Sequence, residues 1–155
     1  MKGWLPKKTW ELMLASMPIP CTDVVCLNDR NEILLGWRII PPYKNSWATV
    51  GGVILRNEHL ETAARRHLQK HGVTVKRLEF NGVFANNCGW RTNISITYLG
   101  YGATEPVDGG QEFSKFRWFA KPPKRMGVFY QKMIAQAGGK HQSSLIYDHP
   151  DTYEL

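Results

Sequence analysis

Nothing in the chain approaches the ~18 consecutive apolar residues of a membrane-spanning helix. A membrane partner is therefore not expected. The first residues, Met1-Lys2-Gly3-Trp4-Leu5-Pro6-Lys7-Lys8, lack the apolar core of a secretory leader, which reads as a cytoplasmic protein. Cysteine is scarce. Cys21, Cys26 and Cys88 are odd in number and show no C-x-x-C spacing, so they cannot all pair within the chain and read as buried reduced thiols. Acid is short as well, with 13 Asp and Glu against 20 Lys and Arg, a formal charge of +7. Such an excess suits a nucleotide, nucleic acid or acidic surface, and suits equally a solvated basic exterior with no partner. Apolar residues make up 43% of the 155, enough for the core of one domain without staples.

The pattern along the chain mixes helix and strand. Trp10–Ala15 reads as a short helix after Thr9, stopped by Pro18 and Pro20. Thr22–Leu27 and Glu32–Arg38 form a hairpin around Asn28-Asp29-Arg30-Asn31. A short strand, Ser46–Val50, runs into Gly51-Gly52, and a helix fits Glu58 to His71, stopped by Gly72. Strands over Lys76–Phe84 and Asn93–Tyr101 flank a predicted loop, Ala85–Trp90. A Gly/Pro/Asp-rich loop from Thr104 to Gly110 precedes a strand over Lys115–Phe119 and a helix over Met126–Gln136. No repeat or long linker divides the chain. One domain spans 1–139, and 140–155 reads as a polar, loosely packed tail.

Gly52, Glu58 and Arg66 stand in the spacing G-x5-E-x7-R. They follow the hairpin, an arginine-ended strand and a Trp-x-x-x-Gly-Gly segment, and they precede a strand pair and an Arg-Trp-Phe strand. This order resembles the Nudix hydrolase superfamily over roughly residues 18–136. The nearest likeness is to its GDP-mannose mannosyl hydrolase branch. Pro18-Ile19-Pro20 leading to Asp23, Leu34–Arg38, Trp47 with Gly51-Gly52, Gly82-Val83-Phe84, and Gln111-Glu112 ahead of Phe116-Arg117-Trp118 carry it. The resemblance implies an α/β (α+β) fold, a mixed β-sheet sandwiched between helices with one helix at each end of the domain. It also implies nucleoside diphosphates or nucleotide sugars as ligands.

The family pattern continues R-E-U-x-E-E-x-G-U, with U a bulky aliphatic. Here the chain reads Arg66-His67-Leu68-Gln69-Lys70-His71-Gly72-Val73, one residue short before the glycine and with none of the three glutamates. In the family those carboxylates and the carbonyl of the first glycine, here Gly51, hold the hard oxygen-seeking Mg²⁺ that screens the phosphates. His67 and His71, i and i+4, share a helix face. As a metal pair they suit Mn²⁺ or another transition ion better than Mg²⁺. As ordinary residues they are hydrogen-bonded, half-buried histidines. Lys70 reads either as a solvated lysine or, with Arg66, as a direct phosphate contact that needs no metal.

By the same resemblance Arg38 grips the diphosphate, though a surface ion pair is as good a reading. Asp23 contacts the sugar, Gln111 meets substrate and metal, and Glu112 stands where the branch has its base, a histidine, though an ordinary loop glutamate is as good a reading. Two departures weaken the mannose reading: Val53 replaces a phosphate-binding arginine, and Asn86 lies near a branch histidine. Three functions follow. One is a divergent nucleoside-diphosphate-sugar hydrolase with Glu112 as base and Gln111, Gly51, His67 and His71 around a divalent ion. Another is a module without catalysis that binds nucleotide or RNA in a basic cleft, with Trp37, Trp47, Phe84 and Trp90 as stacking platforms, although such rings are more often core. The third, to which the sequence gives little, is a protein-interaction scaffold with the C-terminal tail as docking segment. The branch is commonly dimeric, and Trp4, Trp10 and Met13 supply apolar surface for a homodimer.

Overall fold

In the computed structural model, residues 5–137 and 145–147 are described. Eleven elements run in chain order among them: α1 (Lys7–Ser16), β1 (Ile19–Leu27), β2 (Ile33–Arg38), β3 (Ser46–Ala48), β4 (Val50–Val53), α2 (Leu60–Gln69), β5 (Arg77–Asn87), β6 (Thr92–Tyr101), β7 (Phe113–Phe119), α3 (Val128–Ala137) and β8 (Leu145–Tyr147). They build one mixed sheet flanked by helices. The path is β3-β2-β1-β6-β5-β8, with β4 on β1 and β7 on β2. β1 runs parallel to β6 and β8 parallel to β5, while the other pairs are antiparallel.

β1 sits at the centre of this arrangement, and its sequence shows why. Six consecutive residues, Cys21 to Cys26, are buried, as a strand covered on both faces requires. It pairs with β6 along its whole length but divides its other edge. Cys21–Val24 face β4, and Cys26–Leu27 face β2. β3 and β4 are nearly one strand that changes partner at Thr49, first lying on β2 and then on β1. The sheet therefore forks beside Asp23, and the fork opens the space in which the site lies.

α2 packs on β1 and β4, and α3 packs on β5 and β1. Ala63, Ala64 and Leu68 are fully buried, the two alanines letting the backbone of α2 come close and Leu68 filling the core. From α3, Phe129, Tyr130 and Met133 enter the core. Gly36 passes beneath Phe113 and Phe116, where an added Cβ would stand 2.7 Å from Phe113 Cγ and 2.8 Å from Phe116 Cε1.

The predicted loop at Ala85–Trp90 is corrected. β5 continues to Asn87, paired with Thr92 of β6. Asparagine is a poor strand former. Asn86, however, donates to the Tyr43 hydroxyl at 2.6 Å and to Cys88 Sγ at 3.2 Å, and these contacts override the local preference. The predicted strand Ser46–Val50 is likewise two, because of the change of partner at Thr49. Within the stretch read as a loose tail, Leu145–Tyr147 add a strand to β5 at Ala85–Asn87. The rest of that tail, and Trp4 of the expected dimer surface, lie outside the described residues.

Candidate functional site

The fork in the sheet opens on a cleft of ≈ 820 Å³. Its floor is β1 and β4, α2 forms one wall, and the segment around Glu112 another. Trp10 and Met13 of α1 and Phe129 and Tyr130 of α3 supply the apolar side.

Asp23 is the buried charge-bearing group of the floor, 8% exposed. Two hydroxyls hold it: Ser95 Oγ donates to Oδ2, and Thr49 Oγ1 donates to Oδ1 at 3.2 Å. Gly51, its partner across the β1–β4 ladder, leaves room for the carboxyl, since a Cβ there would land on it. Burial pushes the Asp23 pKa up to about 7, against the two hydroxyl hydrogen bonds and the nearby Arg38 charge that lower it. At neutral pH this group is poised between acid and carboxylate.

Arg38, at the end of β2, has its donors committed. Nε donates to the carbonyls of Ile40 at 3.0 Å and Pro42 at 2.5 Å, Nη2 to Pro41 O at 3.3 Å, and Nη1 to Glu112 Oε1. The side chain is only 11% exposed. It clamps the 39–45 loop and the segment before β7 to the rim of the cleft. Gln111, next in line, is exposed at that rim.

On α2, the surviving half of the motif is a bracket. Arg66 donates to Glu58 through Nε at 2.6 Å and Nη2 at 2.8 Å, and Nη2 also reaches Val53 O at 3.0 Å. Glu58 Oε2 accepts the Leu55 amide at 2.9 Å. The Arg66 hydrogen bonds hold the Glu58 pKa down at about 2. Arg66 is thus neutralised where it stands, and the basic character of the helix face falls to Lys70.

His67 occupies the first lost-glutamate position. Nε2 lies 3.0 Å from Val53 O, and Lys70 Nζ lies 3.5 Å from Nδ1. A carbonyl only accepts, so Nε2 carries the proton. An ammonium only donates, so Nδ1 offers its lone pair to it. Burial holds the His67 pKa down at about 4, against the Val53 hydrogen bond and with help from the Lys70 charge, which keeps the ring neutral. His71 lies between Phe113 and Phe116, ring centroids 5.3 and 5.1 Å away, and burial lowers its pKa too.

These residues do not fit the divalent ion that the fold family uses. Gly51, His67, His71 and Gln111 all line the cleft. Yet both His67 nitrogens are engaged, and no group of three or more His, Cys, Asp or Glu among the described residues is placed to hold a metal. Calorimetric titration with Mg²⁺ to low millimolar concentration should give no saturable heat. A stoichiometric Mg²⁺ site would mean that His67 and Lys70 part to admit the ion.

Asp23, Arg38, Gly51, Arg66, His67, Lys70, His71, Gln111 and Glu112 therefore converge on one cleft. The predicted aromatic platforms do not line it. Phe84 and Trp47 are buried in the core, Trp37 stacks edge-on against Trp47, and Trp90 is 51% exposed with Arg91 over its ring. The rings at the cleft are Trp10, Tyr43, Phe129 and Tyr130. Sequence reasoning missed Tyr43, Tyr130, Thr49, Ser95 and Arg91. A polar residue within a predicted strand, as at Ser95, is a signal that was there to read.

A forked mixed sheet with a Gly-Gly strand leading into a bracketed helix defines a domain of the Nudix fold. Solved structures share the architecture. The MutT NUDIX hydrolase from Burkholderia pseudomallei is similar at TM-score 0.71, with 21% identity over 78% of this chain and 98% of that one. The NUDIX domain of Shewanella oneidensis NrtR, complexed with ADP ribose, is similar at 0.64, with 18% identity over 87% and 98%. Residues 17–123 match the NUDIX domain, and the chain belongs to that family. A curated relative, the low-salt glycan biosynthesis protein Agl8 of Haloferax volcanii, is 32% identical over 62 residues. That match spans 40% of this chain and 39% of the relative's length. No helix among the described residues is long and apolar enough to cross a membrane.

Proposed function

We propose that the cleft takes a nucleoside diphosphate derivative, a GDP-sugar foremost, and that Glu112 is the base of a hydrolytic step. The observation that carries the reading is the buried polar floor of the cleft, set beside the apolar side of Trp10, Met13, Phe129 and Tyr130. Asp23 is buried there on the hydroxyls of Ser95 and Thr49, and Asn86 Oδ1 is buried without a partner. A buried acceptor lacking a donor is uncommon, and a sugar hydroxyl would satisfy it. The apolar side between Trp10 and Phe129 suits a base or the face of a sugar ring. The glycan-biosynthesis role in the name of the Haloferax relative supports a glycosyl-bearing ligand.

Glu112 Oε1 accepts from Arg38 Nη1. Phosphate oxygens entering beside Arg38 compete for the same guanidinium and release the carboxylate to take a proton from water. Gln111 and Arg38 then contact the substrate, and Asp23 the sugar. A second reading, binding without turnover, is favoured by His67, Lys70 and His71 standing where the motif has its glutamates and by the closed Arg38–Glu112 pair. An RNA ligand belongs to that second reading, but without the platforms it was expected to use.

Incubation with GDP-mannose separates the readings. Sugar release by the wild type, abolished in Glu112→Gln with affinity kept, supports hydrolysis. Saturable binding with no release supports the binding module. Absence of binding to GDP-mannose, GDP and a single-stranded RNA alike removes both.

We also propose a homodimer. Trp10 and Met13 turn to the cleft, but α1 leaves Leu12 66% exposed, with Met17 49% exposed at its end. Light scattering at tens of micromolar should report twice the monomer mass. A monomer there would exclude it.

A further inference from the structure

We infer that the domain binds diphosphate without a divalent ion, its place taken by the ammonium of Lys70 held on His67. The inference rests on the proposed nucleotide reading and goes beyond it. In a site of the family's usual kind, an acidic helix and an anionic ligand repel, and a metal must bridge them. Here the sign of the helix face is reversed by a connected set of contacts.

Gly52 is the start of that set. It carries no side chain, and a Cβ there would meet the His67 ring, 2.8 Å from Nδ1 and 2.9 Å from Nε2. The imidazole therefore lies against bare backbone. Its Nε2–H is spent on Val53 O, and its one free lone pair, on Nδ1, faces the ammonium of Lys70. An ammonium has three donors. One is used on the ring, and two remain for an occupant of the cleft that Lys70 lines. Lys70 itself caps the C-terminus of α2 and is exposed, so its charge is available.

The charges around it point the same way. Arg38, Arg56, Arg66, Lys70 and Arg91 line the cleft against two acids, Asp23 and Glu112. Arg38 is paired with Glu112, and Arg66 with Glu58 outside the lining. What is left is Lys70, Arg56 and Arg91 facing a half-ionised Asp23. A nucleoside diphosphate meets a cationic cleft before any ion is added, and charge-assisted contacts of this kind are short and directional.

The test is calorimetric titration of the intact chain with GDP, once in EDTA and once in Mg²⁺. Wild type is expected to bind in EDTA, to weaken with added salt, and to gain nothing from Mg²⁺. Lys70→Gln should lose roughly 10- to 100-fold in EDTA, and Lys70→Glu more, as a charged hydrogen bond to phosphate is lost and then reversed. Lys70→Arg should keep most of the affinity. Circular dichroism of each variant guards against misfolding, which an exposed helix-end position makes a minor concern. Binding by wild type only when Mg²⁺ is present overturns the inference and leaves the nucleotide reading intact. Equal affinity of Lys70→Gln and wild type in EDTA overturns it too. No binding under either condition overturns both.

Discussion

Asp23→Asn should stabilise the protein by roughly 4 kcal/mol at pH 8, and by far less at pH 4. The native carboxyl titrates at about 7, raised by burial from 3.8. A folded-state pKa above the unfolded one means that the native protein holds the proton longer. Its contribution to stability is full below pH 3.8 and is lost as the pH rises through 7. Above that, folding keeps a charge in a pocket that prefers the acid. Asparagine is neutral at every pH and of the same shape. Its oxygen can accept from Thr49, and its amide can donate to Ser95 Oγ.

His67 works in the opposite sense. Its pKa is lowered to about 4 from 6.5, so its contribution is present above 6.5 and lost as the pH falls through 4. The two groups offset each other between those values, and the pH profile of the wild type alone would hide both. The difference between wild type and Asp23→Asn isolates the carboxyl. Thermal melts at pH 4, 6 and 8 measure it. A difference that does not grow with pH would show that Asp23 is already ionised at little cost.

Gly52→Ala should cost roughly 1–3 kcal/mol, the usual penalty for a methyl group forced into packed space. The methyl would overlap the His67 ring and push it from Val53 O and from Lys70. Gly52 and His67 should therefore couple. His67→Ala alone opens a space and frees the Val53 carbonyl. In the Gly52→Ala/His67→Ala double variant the methyl enters that space, and the double should be more stable than the sum of the singles by about 1 kcal/mol or more. Chemical denaturation of the four proteins gives the coupling. Additive losses would mean that β4 shifts to spare the ring, and that the ring does not lean on Gly52.

Much of this was legible in the sequence, for reasons that differ along the chain. Helix α2 was placed by Gly52, Glu58, Arg66 and the stop at Gly72, because these residues make local contacts at fixed offsets. Asp23, Arg38, His67, Lys70 and Glu112 were singled out by the order of elements and not by local spacing, and the fold brings them to one cleft. What was not legible depended on partners far along the chain. That Arg38 is committed to Glu112, 74 residues away, cannot be read from either residue. Nor does Asn86 announce that a tyrosine 43 residues earlier will hold it in a strand. Trp37, Trp47 and Phe84 went to the core, the more usual place for a large ring, and not to the cleft.

The change of partner at Thr49 carries a consequence for how the site can vary. A strand shared between β2 and β1 cannot slip by one residue on one side without breaking the other, so its register is locked twice. Gly51 and Gly52 ride on that locked strand, and Asp23 lies across from Gly51. The loops that rim the cleft, around Pro41–Asn45 and Gly109–Glu112, are not part of the ladder. Their exposed residues, such as Lys44 and Gln111, can change while the floor stays in place, whereas Tyr43 and Glu112 are tied to Asn86 and Arg38. Ligand preference can thus drift, or be selected from a library, in two short surface segments, with the proton-bearing floor inherited unchanged.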